Sequence, residues 1–164
     1  MRLDDPGRKS VFDVQLDQPL SVHVNQQQLV QVFVNLLQNA CYASPADKPI
    51  TLLGQTSDNQ VSVRVVNQGD AIEPDKLAHI FEPFFTTKPV GEGTGLGLSL
   101  VYSILAQHGG RVTAQSTASN GTSFEVNLPL AGSVDGIVNT DKSDATTTLL
   151  TSDNTSQSEH YRKP

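Results

Sequence analysis

Cys41 is the only cysteine, so the chain can form no internal disulfide. It falls within an apolar helical pattern and reads as a small core residue. No apolar run reaches the roughly 18 residues that a membrane-spanning helix needs, so direct membrane contact is not expected. The start, MRLDDPGRK, is charged and breaks at Pro6, so no signal peptide is expected either. The expectation is a cytoplasmic location, on its own or as the cytoplasmic portion of a membrane-anchored sensor. A surplus of positive charge is also missing, since the formal net charge is -6. A polyphosphate ligand must then be held by local devices, and a nucleic-acid binder, which normally shows a basic face, is disfavoured. No internal repeat is present.

What is there suits an ordinary globular domain. The 164 residues are 37% apolar and 17% charged, which allows one domain with a sizeable core and a tail. Residues 1–9 read as an N-terminal linker, 10–130 as the domain, and 131–164 as a mostly disordered tail rich in Ser, Thr and Asp. Lys9–Asp17 alternates apolar and polar residues and predicts a strand. Ser21–Val24 predicts a short second strand. Asn25 is a candidate helix cap, and Leu29, Val32, Phe33, Leu36, Ala40 and Ala43 form one broad apolar face of a helix from Gln26 to about Ala43. Ile50–Ser57 and Val61–Asn67 read as paired strands. Pro74 opens a short helix over Asp75–Ile80. Phe84–Thr94 reads as a mobile loop, followed by a helix from about Gly95 to His108 and a last strand pair, Arg111–Ser116 and Thr122–Leu128. This order predicts an α+β fold: a two-layer α/β sandwich with a mixed, mostly antiparallel sheet of about five strands and three helices on one face.

Two features carry chemistry. In the first long helix, Gln28, Gln31, Asn35, Asn39 and Tyr42 are spaced 3, 4, 4 and 3 apart, which places them on one narrow arc. Taken alone, such a stripe reads first as a solvated helix face. Its other use is as ligand, because an amide oxygen is a hard donor for Mg²⁺ and an amide can contact phosphate. The second feature is Gly91-Glu-Gly-Thr-Gly-Leu-Gly-Leu-Ser99, where glycine occupies alternate positions before a helix. It reads either as a flexible loop or as an anion cradle, with backbone N–H groups and the positive end of the helix turned to phosphate. Thr94 is a candidate cap there, and Lys88 can reach phosphate from the loop.

Several segments, in order, resemble the histidine-kinase catalytic domain of the GHKL ATPase superfamily. Gln31–Ala40, with Ala43, looks like its asparagine box. Ile80-Phe-Glu-Pro-Phe-Phe-Thr-Thr-Lys88 looks like its phenylalanine box, and Gly93-Thr-Gly-Leu-Gly-Leu-Ser99 like its second glycine box. Gly121-Thr-Ser-Phe124, ending at Leu128-Pro129, looks like the closing hairpin. The resemblance implies a Bergerat fold, ATP bound with Mg²⁺ under a lid over about Phe84–Thr94, and γ-phosphoryl transfer to a histidine. It implies that Asn39 holds Mg²⁺ with Asn35 assisting, that Lys88 contacts the γ-phosphate side, and that Tyr42 lies near base and sugar. Gly95 and Gly97 would line the triphosphate, and the matched boxes bring Phe85, Thr87, Gly93, Thr94, Leu96, Leu98 and Thr122 to the nucleotide. Related ATPases such as gyrase and MutL place a water-activating glutamate where this chain has Asn35. An asparagine cannot take that proton, which suits a kinase whose nucleophile is an imidazole, and catalysis is then mostly positioning and charge neutralisation.

The first glycine box departs from the family's Asp-x-Gly-x-Gly-Ile. Here it is Asn67-Gln-Gly-Asp-Ala-Ile72, keeping Gly69 and Ile72. Asn67 keeps an acceptor for adenine, loses the charge, and gains an NH₂ that can donate to adenine N1. A charged acceptor is worth about 1–2 kcal/mol more than a neutral one, so ATP binding is expected to be weakened and not abolished. Ala71 adds a methyl near the base. A second departure concerns the acceptor. His23, His79, His108 and His160 are not followed by Asp or Glu, unlike the family's phosphoacceptor. The implied partners are a separate upstream dimerisation domain carrying that histidine, and a response-regulator receiver domain. The competing expectation is a nucleotide-impaired docking module, of the pseudokinase type, that regulates a partner kinase.

Overall fold

The computed structural model describes residues 11–16, 18–57 and 59–131, and the backbone of 146–149. The strands are β1 (Phe12–Leu16), β2 (Leu20–His23), β3 (Ile50–Thr56), β4 (Gln60–Asn67), β5 (Arg111–Thr117), β6 (Gly121–Pro129) and β7 (Thr146–Leu149). The helices are α1 (Gln26–Ala43), α2 (Pro74–Leu77) and α3 (Gly97–Gln107). Five strands form one sheet in the order β1-β3-β4-β6-β5. β1 runs parallel to β3, and every other neighbour is antiparallel. This is the expected mixed, mostly antiparallel sheet.

The period of two along β4 and β6 decides where the core lies. Val61, Val63 and Val65 pair with Leu128, Val126 and Phe124, and all six are buried. On β5, Val112 and Ala114 continue the same rows opposite Val126 and Phe124. α1 packs over β4, α3 over β5, and the two helices touch each other. α1 buries Leu29, Val32, Leu36 and Ala40. Each large aliphatic among them contributes about 1.5–3 kcal/mol relative to exposure. The opposite face of the sheet is polar: Arg64 and Glu125 pair across β4 and β6 at 3.2 Å.

Local signals set the ends of α1. The Asn25 side-chain oxygen accepts from the Gln28 N–H at 3.1 Å, satisfying one of the first-turn donors as a cap should. Pro45 disfavours helical geometry at Ser44, and Ser44 is extended, at φ −72° and ψ 141°. His108 ties the start of α1 to the end of α3, because its Nε2 accepts from the Asn25 N–H at 3.2 Å and its Nδ1 donates to the Ile104 carbonyl at 2.9 Å. That is a structural use of this histidine. His160 lies outside the described residues.

Two expectations about α3 need correction. α3 begins at Gly97, after an N-cap at Leu96 without a side-chain cap, and not at about Gly95. Gly95 has φ +68°, which is left-handed and cannot sit in the helix. Thr94 accordingly does not cap α3; its hydroxyl accepts from the Leu96 N–H at 3.4 Å, one residue short of the helix. Thr146–Leu149, inside the segment expected to be mostly disordered, pairs antiparallel with β2. The rest of that segment beyond Ala131 lies outside the described residues.

Candidate nucleotide-binding site

Where the helix-facing row of β4 and β6 reaches the end of the sheet, it turns polar. Val65 and Phe124 give way to Asn67 and Thr122, which pair directly, and Ser116 on β5 pairs with Thr122. Asn67 is 1% exposed and Thr122 is also buried. The Ser116 and Thr122 hydroxyls lie 2.7 Å apart, and Ser116 Oγ accepts from the Ile72 N–H at 2.9 Å. This small polar layer fixes the chain that leaves β4. Gly69 follows immediately, and a side chain there would run into the Ala43 carbonyl at the end of α1. The glycine is therefore required by close packing of the two segments.

Beyond this layer opens a cavity of about 710 Å³, between α1, the 70–73 segment, the 85–95 segment and the start of α3. Asn35, Asn39, Tyr42, Asn67, Ile72, Phe85, Thr87, Lys88, Gly93, Thr94, Gly95, Gly97, Leu98 and Thr122 all line it. The sequence candidates are thus brought together with two exceptions. Gly69 shapes the wall through Ala43 and is not itself a wall residue, and Leu96 is 43% exposed and lies outside the lining.

The lid end is held to α1 by side chains. Lys88 Nζ donates to Asn39 Oδ1 at 3.2 Å and lies 4.3 Å from the centre of the Tyr42 ring. The Tyr42 hydroxyl donates to Glu92 Oε2 at 3.1 Å. A lysine over an aromatic face is a favourable cation–π arrangement. Burial lowers the Lys88 ammonium below its ordinary pKa, and the Glu92 carboxylate opposes that. Tyr42 is pushed up, first by desolvation and then by its bond to Glu92 and the charge there. At its two ends the lid is closed by one backbone bond, from the Phe84 N–H to the Gly95 carbonyl at 2.9 Å. Phe84 itself adopts φ +67°. A side chain on Gly95 would strike the Phe84 backbone, and its positive φ excludes most residues besides.

Asn35 donates from Nδ2 to the Gln31 carbonyl at 2.9 Å, within its own helix. Its Oδ1 faces the start of α3, 3.0 Å from where a Gly97 side chain would begin. Gly97 thus lets α3 approach the asparagine stripe. Asn35 and Asn39 thus both line the cavity, with the Asn35 oxygen against the start of α3 and the Asn39 oxygen against Lys88. Asn67 lies at the sheet end, where its Nδ2 is buried without a hydrogen-bond partner.

The cavity also contains residues that sequence reasoning missed. Gln38, Asp70, Glu73, Lys76, Ile80, Thr86, Glu92 and Phe124 line it too. Phe124 was findable, because it follows Thr122 by one strand period. Asp70 sits inside the altered glycine box. Glu92 gave no signal, since its partner Tyr42 is 50 positions away.

Comparison with known proteins identifies the family. Residues 24–132 match the family described as histidine kinase-, DNA gyrase B- and HSP90-like ATPase. The sensor kinase CckA of Brucella abortus is 42% identical over 117 residues, covering 62% of this chain and 12% of CckA. The solved catalytic domain of histidine kinase ThkA superposes with a TM-score of 0.66 at 34% identity, covering 73% of this chain and 80% of that one. Full-length ShkA in complex with AMPPNP superposes with a TM-score of 0.65 at 26% identity, covering 75% of this chain and 26% of ShkA. The chain therefore spans a small part of its full-length relatives. It belongs to the histidine kinase-, DNA gyrase B- and HSP90-like ATPase family, as a catalytic, ATP-binding domain of the sensor-histidine-kinase type.

Proposed function

We propose that this domain binds Mg·ATP and passes the γ-phosphoryl group to a histidine on a separate dimerisation domain, from which a response-regulator receiver domain takes it. The carrying observation is the Lys88 ammonium, 3.2 Å from Asn39 Oδ1. A cation already sits against the amide oxygen that the metal would use, so the donor suits positive charge. Mg²⁺ takes few protein oxygens and keeps waters and phosphate oxygens as its other ligands. Asn39 is the proposed ligand, with Asn35 beside it. Bound Mg²⁺ would supply charge neutralisation on the phosphates.

The remaining work falls to the chain's own residues. With Asn39 given over to the metal, Lys88 would be free to meet the γ-phosphate. Gly95 and Gly97 keep side chains out of the phosphate path. Asn35 cannot abstract a proton from water, which favours transfer to an imidazole over hydrolysis. Exposed Phe84, Leu96 and Leu100 form an apolar rim beside the lid, suited to docking the acceptor domain. Because the reaction consumes ATP, we assign it to the cytoplasm; among the described residues no helix is long and apolar enough to cross a membrane.

The test is transfer in trans. The domain is mixed with the dimerisation domain of its own parent kinase, Mg²⁺ and radiolabelled ATP. Label on the acceptor histidine is the expected result. Binding of the acceptor domain without label at saturating ATP would establish the docking-module reading instead. Steady release of phosphate by the domain alone would point to a gyrase-like ATPase.

A further inference from the structure

We infer that the base end of this cavity accepts a 6-oxopurine about as well as a 6-aminopurine, so that inosine triphosphate is a ligand alongside ATP. The inference rests on the nucleotide-binding reading above.

Asn67 is the residue that would read the base edge. It is the last residue of β4, locked opposite Thr122, 1% exposed and part of the cavity wall. Its Nδ2 has no hydrogen-bond partner. A buried NH₂ left unpaired is unfavourable, and no bond from it fixes which way the amide faces. The neighbouring hydroxyls are bonded to each other, Thr122 to Ser116, and Ser116 also accepts from the Ile72 N–H; a hydroxyl can donate or accept, so Thr122 suits either base edge. The apolar walls Ile72 and Phe124 do not distinguish one base edge from another. Asp70 and Glu73 are exposed, where water competes for them.

A carboxylate only accepts, whereas a carboxamide has a donor and an acceptor side by side. A 6-aminopurine presents a donor at its amino group next to an acceptor at N1. A 6-oxopurine presents the reverse, an acceptor at O6 next to a donor at N1. The carboxamide matches either edge after a half-turn about its last bond. That turn exchanges an oxygen and an NH₂ of similar size, so the packing around Asn67 need not change. No bond from Nδ2 opposes it. An aspartate lacks this freedom, because its two oxygens would face O6 with like polarity.

The test is equilibrium binding of ATP and inosine triphosphate by calorimetry, with Mg²⁺, to the wild type and to Asn67→Asp. Inosine triphosphate lacks the 2-amino group of guanine and so isolates the 6-oxo edge. The two wild-type dissociation constants are expected to agree within about tenfold. Asn67→Asp is expected to raise the preference for ATP by at least about tenfold. A wild-type preference for ATP beyond tenfold overturns the inference and leaves the nucleotide-binding reading standing. So does an unchanged preference in Asn67→Asp, which would show that Asn67 does not read the edge. If neither nucleotide binds at millimolar concentration, the nucleotide-binding reading falls, and this inference with it. Should Asn67→Asp fail to fold, the wild-type pair still decides.

Discussion

At the sheet end of the cavity, Asn67 is held by the β4–β6 ladder and closed off from solvent. At the lid end, Lys88, Glu92 and Tyr42 are joined to α1 by a few side-chain contacts. The first end is preformed, and by the inference above its selectivity would follow from what one amide can donate and accept. The second end is occupied by its own cation, which would have to move before the metal and phosphate of the proposed function could enter. Under the proposed function, recognition of the base is then a matter of equilibrium fit, whereas access to the phosphate site involves displacement.

Substitutions at the two ends should separate these roles. Asn39→Ala should have the largest effect, lowering the initial rate of phosphoryl transfer to the acceptor domain by roughly 100-fold or more. Its preference between ATP and inosine triphosphate should stay that of the wild type. A shifted preference would show that the two ends are not independent. Gly95→Ala comes next. A left-handed alanine pressed against Phe84 costs about 1–3 kcal/mol, seen as roughly tenfold weaker ATP binding in a fluorescence titration. Asn67→Ala removes one hydrogen-bonding pair worth about 1 kcal/mol. ATP affinity should fall about fivefold, to the same extent at low and high Mg²⁺.

Glu92→Gln weakens the Tyr42 contact without touching the sheet. Hydrogen exchange over 85–94 should quicken, while ATP affinity changes by less than about threefold. Glu125→Gln, on the outer face of the sheet, is the control. Burial would raise the Glu125 carboxyl, but bonds from Ser62 and Arg64, with the Arg64 charge, hold it below its ordinary 4.5. The native state then binds fewer protons than the unfolded state, so this contribution is complete above about 4.5 and is lost as pH falls through the lower folded value. Both partners are partly exposed, so Glu125→Gln should cost only about 0.5 kcal/mol near neutrality. Denaturant melts at several pH values should show that difference vanish in acid.

Much of the fold and of the site is legible in the amino-acid sequence. α1 is readable because apolar spacing, the Asn25 cap and Pro45 all agree on its limits. The asparagine stripe and the strand rows are readable because side-chain direction follows period. The depth of Asn67 is not, since it depends on β6 bringing Thr122 alongside. The start of α3 escapes local reading because the glycine pattern does not say which glycine turns left-handed; the contact with Phe84 makes it Gly95. The link from Glu92 to Tyr42 and the pairing of Thr146–Leu149 with β2 join distant segments, and neither carries a local pattern.

The single backbone bond from Phe84 to Gly95 has a wider consequence. It pins the ends of the lid together, so the residues between them form a closed excursion from an otherwise fixed frame. Closing such an excursion costs only about 0.6 kcal/mol more for each doubling of its length. The frame is thus largely indifferent to what is inserted there. Longer or shorter lids could be exchanged into this domain, setting how long a nucleotide resides, while the base grip and the core keep their shape.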